Sequence, residues 1–180
     1  ALEGSRRWFI TQMTPGVAPF TELEAALIRI SHTSIPDLET QIRQPEGGLS
    51  RTLKQMLPDE QTEFVLVIDQ FEEIFTLCDS EVERALFLDG LFHAVNEAQS
   101  RLRVVVTLRA DFYDRPLMYP AIGELVSNNT EVVLPLSVDG LMQAIAKPAE
   151  RYGLELEPGL LSTIVEDVHR QPSSLPPLQH

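Results

Sequence analysis

The sequence contains little lysine and almost no cysteine. Of its 180 residues two are lysine and one is cysteine, whereas Asp and Glu outnumber Lys and Arg by 27 to 14. The single cysteine, Cys78, excludes an intrachain disulfide, and no Cys/His cluster has the spacing of a zinc site. The formal net charge of −13 argues against a general nucleic-acid or anionic-membrane surface, because phosphate groups attract basic patches.

Long apolar runs are also absent. No stretch approaches the roughly 18 consecutive apolar residues that mark a membrane-spanning helix, and no secretory signal is visible. We therefore expect a cytoplasmic protein whose partners include neither membranes nor nucleic acids. The apolar content of 43% and the charged content of 23% are those of a globular protein with a buried core.

Two short apolar runs, 64–68 and 102–108, are the clearest strand signals. Neither alternates between apolar and polar residues, which is typical of strands buried on both faces of a parallel sheet. Residues 8–13 and 131–136 also have strand composition. Amphipathic patterns predict helices between these strands, and this alternation predicts an α/β fold with a three-layer parallel sheet. The predicted helices span 21–30, 49–57, 80–99 and 119–126, and a capping-box pattern opens the first at Thr21 and the third at Ser80.

The β signal disappears after residue 136. Residues 1–136 are therefore interpreted as an α/β core and residues 137–180 as a helical segment. Two helices are predicted in the segment, at 138–151 and 158–170. Pro148 is expected to end or kink the first of them, since proline removes a backbone donor and clashes with the preceding turn.

Acidic residues follow the first buried strand directly. Asp69 comes at its carboxyl end, and Glu72 and Glu73 lie in the turn beyond it. Open α/β sheets carry their chemistry at the carboxyl ends of the strands. Three neighbouring carboxylates repel one another unless a cation lies among them, so the pattern suits Mg²⁺ with an activated water. Alternatively, Asp69 caps the next turn and both glutamates are solvated.

The second buried strand ends in Thr107-Leu108-Arg109. An arginine facing a carboxylate–metal site is suited to a terminal phosphate, because its planar guanidinium binds phosphate oxygens in pairs. An ion pair between Arg109 and Asp111, Asp114 or Glu72 is the competing interpretation. Thr107 taken alone would be an ordinary strand residue.

Four blocks of this sequence together resemble the novel STAND family. Members of that family are signal-transduction P-loop NTPases related to AAA+, NACHT and NB-ARC modules, and they often precede β-propeller repeats in large bacterial proteins. The blocks occur in the family's order and extend over nearly the whole chain. They are residues 67–75, 105–113, 145–149 and 175–179.

The resemblance implies a role for each candidate residue. Asp69 matches the Walker B aspartate that holds Mg²⁺, and Glu72 and Glu73 match the acidic pair that orients or deprotonates the attacking water. Arg109, with Thr107, resembles the sensor of the γ-phosphate. Pro176 resembles the proline that packs by the adenine in related modules. ATP and Mg²⁺ are the cofactors implied for the intact parent protein.

The phosphate-binding loop of such NTPases does not occur in this sequence. Neither Lys54 nor Lys147 follows a glycine, so no Gly-x-x-x-x-Gly-Lys-Ser/Thr motif exists to cradle phosphates. We expect the sequence to be part of a longer chain, with this loop and its strand upstream of residue 1. In AAA+-like sheets that strand lies between the strands resembling 102–108 and 131–136. Without it, those two strands close together or an apolar edge stays open to self-association.

The expected function is therefore that of an incomplete regulatory switch. The sequence predicts part of an ATP-binding signal-transduction NTPase that binds no nucleotide and hydrolyses none by itself, with other domains of the longer chain as partners. A scaffold domain that keeps the fold without nucleotide chemistry is the alternative. A metal-dependent nuclease or phosphatase is disfavoured by the acidic surface and the missing His/Asp ligand set.

Overall fold

The computed structural model describes residues 8–31, 35–45, 47–59 and 61–169. Their contacts divide the chain into two compact units, Ala1–Thr130 and Glu131–His180. The strands are β1 (Trp8–Met13), β2 (Glu63–Ile68) and β3 (Leu102–Val106). The helices are α1 (Pro19–Ile28), α2 (Leu38–Ile42), α3 (Gly48–Met56), α4 (Glu73–Thr76), α5 (Glu81–Asn96), α6 (Asp114–Leu117), α7 (Pro120–Asn128), α8 (Val138–Arg151) and α9 (Leu160–His169), with a 3-10 turn at Ala110–Phe112.

The first unit contains a parallel sheet in the order β1-β2-β3. Met13 is in register with Ile68, and Ile68 with Val106, so all three strands end at the same edge. Helices flank the sheet and share its apolar core. The predicted α/β fold with a helix-flanked parallel sheet is confirmed, because the apolar runs and the amphipathic helices bury their surfaces against each other.

The core occupies one face of the sheet. Phe64, Leu66 and Ile68 of β2 are at most 1% exposed, and they pack with apolar residues of α1, α3, α5 and α7. On the opposite face Ile10 is 58% and Val105 is 51% exposed. The prediction that strand 102–108 is buried on both faces is therefore wrong within the described part of the chain, and that strand also stops at Val106.

The predicted strand at 131–136 does not form. These residues adopt no regular structure, and the side chains of Val132, Val133 and Leu134 are 68%, 91% and 76% exposed. A strand exists only where its backbone N–H and C=O groups find a ladder partner, so β-branched composition alone does not create one.

Helix boundaries depend on local capping. Ser80 was correctly predicted as an N-cap, since its Oγ accepts a hydrogen bond from Glu83 N–H at 3.2 Å. A similar box predicted at Thr21 is wrong, because α1 begins at Pro19 and the Thr21 hydroxyl instead donates to Glu39. Proline is favoured in the first turn, where its missing N–H has no helical partner to lose.

In its described residues, 131–169, the second unit contains a pair of helices. Leu141 of α8 and Val165 of α9 are buried against each other with Met142, Ile145, Leu161 and Ile164 around them. Pro148 lies inside α8, which continues to Arg151, so of the two expected effects of this proline the end of the helix does not occur. Its position in the last turn means that few downstream hydrogen bonds depend on it.

Candidate functional site

The carboxyl edge of the sheet brings Asp69 and Thr107 together. Asp69 follows β2 directly, and Thr107 follows β3. The Thr107 hydroxyl donates to Asp69 Oδ1 at 2.5 Å, and the Thr107 N–H donates to the carbonyl of Ile68 at 3.0 Å. The two residues meet because neighbouring parallel strands end side by side.

Gln70 fixes the orientation of the aspartate. Its φ of +54° lies in the left-handed region, which costs a residue other than glycine about 1 kcal/mol or more. In that conformation its N–H donates to both Asp69 Oδ1 (3.1 Å) and Thr107 Oγ1 (3.0 Å). The next N–H, of Phe71, donates to the Thr107 carbonyl at 2.9 Å. The turn is thereby held on both sides of Gln70.

Gln12 is a member of this site that the sequence analysis missed. It lies next to the carboxyl end of β1, and its Nε2 is 3.4 Å from Asp69 Oδ2. That contact is long, so Oδ2 is held less firmly than Oδ1. Because Gln12 pairs in register with Val67, its place beside Asp69 follows from the parallel pairing of the two strands and from no local motif.

The two glutamates turn towards different backbone groups. Glu72 Oε2 accepts a hydrogen bond from Arg109 N–H at 3.4 Å, and Glu73 Oε2 accepts one from Gly16 N–H at 3.2 Å. Within the described residues no group of three or more His, Cys, Asp or Glu side chains could hold a metal ion together. The predicted convergence of Asp69, Glu72 and Glu73 is therefore not observed there, because each carboxylate has its own donor.

Gly16 is the second member that the sequence analysis missed. The sequence itself indicates only a turn at Thr14-Pro15-Gly16, since proline and glycine together are a turn signal. The Gly16 φ of +57° needs glycine, and this conformation accompanies the contact between its N–H and Glu73. A glycine in a turn at the carboxyl end of a parallel strand was the available signal.

Arg109 forms the ion pair that was one of its two predicted interpretations. Its Nε and Nη2 donate to the carboxylate of Asp111 at 3.1 and 2.8 Å. Hydrogen bonding to Arg109 lowers the pKa of Asp111, and the carboxylate in turn raises the pKa of Arg109. Both side chains are well exposed, at 66% and 59%, so water screens the pair. The guanidinium also lies 5.6 Å from the ring centre of Phe112.

The last predicted member, Pro176, lies outside the described residues. The other five all lie at or beyond the carboxyl edge: Asp69, Glu72, Glu73, Thr107 and Arg109. Of these, Asp69 has the chemistry to hold Mg²⁺, since carboxylate oxygens are preferred magnesium ligands and often act through a retained water. Its weakly bonded Oδ2 could accept such a water.

One of three comparisons with known proteins identifies a family. The family described as Novel STAND NTPase 1 matches residues 1–180, the full length of the sequence. No curated protein and no solved structure matches the chain. No described helix is both long and apolar enough to cross a membrane. Membership in an NTPase family implies nucleotide binding, and the earlier resemblance is confirmed: this chain belongs to the Novel STAND NTPase 1 family.

Proposed function

We propose that this domain is part of an ATP-dependent regulatory switch in signal transduction. The observation that carries the proposal is the arrangement at the carboxyl edge, where Thr107 Oγ and Gln70 N–H both bond one oxygen of Asp69. This leaves the second oxygen directed towards Gln12, with only a long contact. A carboxylate held in this way is suited to bind hydrated Mg²⁺ at the edge where α/β folds bind phosphates.

Each neighbouring side chain has a proposed task. Asp69 is the Walker B aspartate and holds Mg²⁺ through water. Mg²⁺, when bound, neutralises the charge of the phosphates. Glu72 and Glu73 supply the carboxylate that orients or deprotonates the attacking water. Arg109 exchanges Asp111 for the γ-phosphate, which its exposure allows.

Thr107 has a different proposed role from the one implied by the resemblance. Its hydroxyl donates to Asp69, and its oxygen accepts from Gln70 N–H, so both functions of the group are occupied. We propose that Thr107 orients Asp69 and contributes to nucleotide binding through that carboxylate. Pro176 keeps its proposed place by the adenine.

Hydrolysis by these 180 residues alone is not expected. The sequence holds no Gly-x-x-x-x-Gly-Lys-Ser/Thr motif, and the backbone N–H groups of such a loop bind the phosphates in P-loop NTPases. We propose that the phosphate loop lies in a preceding part of a longer bacterial signalling chain, whose other domains, β-propeller repeats among them, are its partners.

The second candidate function is a non-catalytic interaction domain. It is favoured by the exposed apolar residues on the open sheet face, Ile10 and Val105, and by the unpaired outer edge of β3 within the described residues. An uncovered face and edge of this kind can bind another domain or a second copy of the chain.

Calorimetric titration of Mg·ATP separates the two candidates. The titration is run on this chain and, where the gene encodes residues ahead of Ala1, on a version extended by them. The switch proposal expects binding by the extended version and about tenfold to 100-fold weaker Mg²⁺-dependent binding after Asp69→Ala. Asp89→Ala, which changes an exposed aspartate of α5, is the matched control and leaves binding unchanged.

Other outcomes contradict the switch. If the extended version folds but does not bind Mg·ATP, the result favours the non-catalytic interaction domain. If Asp69→Ala and Asp89→Ala bind Mg·ATP equally well, Asp69 has no role in holding the metal. ATP hydrolysis by the 180-residue chain alone would contradict the need for a separate phosphate loop.

A further inference from the structure

Arg84 of α5 makes several contacts with residues 72–78, which we call the acidic turn. Its side chain is only 15% exposed. Its Nε donates to the carbonyl of Ile74 at 2.8 Å, and its Nη2 donates to the carbonyl of Cys78 at 2.5 Å. Its Nη1 forms an ion pair with Glu81. The guanidinium therefore binds both the last turn of α4 and the loop that follows it.

The same guanidinium reaches the segment beyond β3. Its Nη1 lies 3.5 Å from the Tyr119 hydroxyl oxygen, and that hydroxyl donates to Glu81 Oε1 at 2.8 Å. The Tyr119 ring packs against Phe75 of α4, with 6.0 Å between ring centres. Tyr119 directly precedes α7, and the chain between Arg109 and Tyr119 forms two short helical turns.

Two segments of the candidate site are thus joined at two places. At the first place, the carboxylate of Glu72 accepts a hydrogen bond from the N–H of Arg109. At the second place, Arg84 and Tyr119 connect the end of α4 to the start of α7. We propose that Arg84 is a positioning residue that holds the acidic turn 72–78 at a fixed distance from the segment 109–119. This inference rests on the proposed function for its purpose, although its structural content can be tested without nucleotide.

The chemistry of the contacts requires arginine. Two carbonyls, one carboxylate and one hydroxyl surround the group, and only the flat guanidinium presents donors in enough directions to meet them. A lysine has the same charge but a single nitrogen, so it cannot reach both carbonyls and Glu81 together. Arg84→Lys therefore removes the bridge while it keeps the charge.

Hydrogen exchange of the 180-residue chain, followed by mass spectrometry, tests this role. Arg84→Lys and Tyr119→Phe are compared with Arg103→Lys, whose arginine is exposed and pairs with Glu63 on the sheet. We expect Arg84→Lys to speed exchange about tenfold in 72–78 and 110–120, with β1 and β2 unchanged. Tyr119→Phe, which keeps the ring, speeds exchange in both segments by a smaller factor, and Arg103→Lys leaves both unchanged.

Chemical rescue distinguishes positioning from general stability. In Arg84→Ala, millimolar guanidinium ion can enter the vacated space and restore slow exchange in both segments, whereas the same concentration of urea cannot. Unchanged exchange in 72–78 after Arg84→Lys would overturn the proposal, as would an equal increase in β1 and β2. If hydrogen exchange changes as expected but no version of the chain binds Mg·ATP, the positioning role of Arg84 is supported and the proposed ATP-dependent switch function is refuted.

Discussion

Gln70 adopts a left-handed backbone conformation immediately after Asp69, with φ of +54°. A side chain in this region is strained, and its persistence here is explained by the two hydrogen bonds that its N–H donates. Strain of this kind is characteristic of sites where a backbone must hold a functional group in one orientation. We therefore interpret the backbone strain at Gln70 as the cost of holding the Asp69 carboxylate in the orientation that its proposed role requires.

The strain at Gln70 can be measured by substitution. Glycine adopts the left-handed region freely but gains entropy in the unfolded chain, so we expect Gln70→Gly to be stabilising by about 0.5 kcal/mol. Gln70→Val, which adds a β-branch, should be destabilising by more than about 1 kcal/mol. Urea unfolding gives both values. Glu124→Gly in the exposed middle of α7 is the control and should be destabilising by about 0.5–1 kcal/mol. A destabilised Gln70→Gly would show that the backbone there is unstrained.

Helices α3 and α5 are joined by an ion pair near their ends. Lys54 of α3 lies 2.5 Å from the carboxylate of Glu97, the residue that ends α5. Hydrogen bonding to Lys54 lowers the pKa of Glu97 below its ordinary value of 4.5. Glu97 and Lys54 side chains are 36% and 49% exposed, so the pair is largely screened by water.

This pair predicts a pH dependence of stability. A carboxyl whose pKa is lowered by folding stabilises the fold above its unfolded pKa, and the contribution is lost as the pH falls through the folded pKa. At pH 7 we expect Glu97→Gln to be destabilising by about 0.5 kcal/mol, a typical value for an exposed pair. The difference from the unmodified chain should vanish below the folded pKa, which is under 4.5. Urea unfolding at a series of pH values from 7 downwards measures how this difference in the free energy of unfolding changes. A difference that stays constant over the whole series, down to the acid unfolding of the chain, would assign the effect to packing.

The sheet as a whole has an uncovered face and an open edge in the described residues. Val105 and Ile10 lie on that face, and β3 pairs only with β2. Exposed apolar strands at a sheet edge are templates for pairing with another chain. The net charge of −13 opposes association, so any self-association should strengthen as salt screens the repulsion.

Self-association is therefore predicted for the 180-residue chain. Sedimentation analysis at rising protein concentration should detect dimers in about 0.15 M salt and fewer at low salt. Val105→Lys places a charge on the open edge strand and should restore the monomer. Val82→Lys is the matched control, since Val82 is 80% exposed on α5 and away from the sheet. Dimers that persist in Val105→Lys would place the interface elsewhere, and a monomer at all concentrations would refute the prediction.

Much of the fold was determined by short-range patterns in the sequence. The apolar run 64–68, the cap at Ser80 and the amphipathic stripes each act within a few residues, so the sequence alone predicted β2, α5 and the parallel arrangement. The same pattern placed Asp69 and Thr107 at the carboxyl ends of two strands, whereas their hydrogen bond depends on the pairing of β2 with β3.

Other features depended on partners far along the chain. Residues 131–136 have the composition of a strand but no ladder partner, and Thr21 has a capping sequence that a nearby proline supersedes. Gln12 and Gly16 enter the site only because β1 pairs with β2, which brings them beside Asp69 and Glu73. The separation of the three carboxylates also depended on which backbone N–H each one reached. Local sequence sets the propensity of each segment, whereas the tertiary structure alone decides which groups meet.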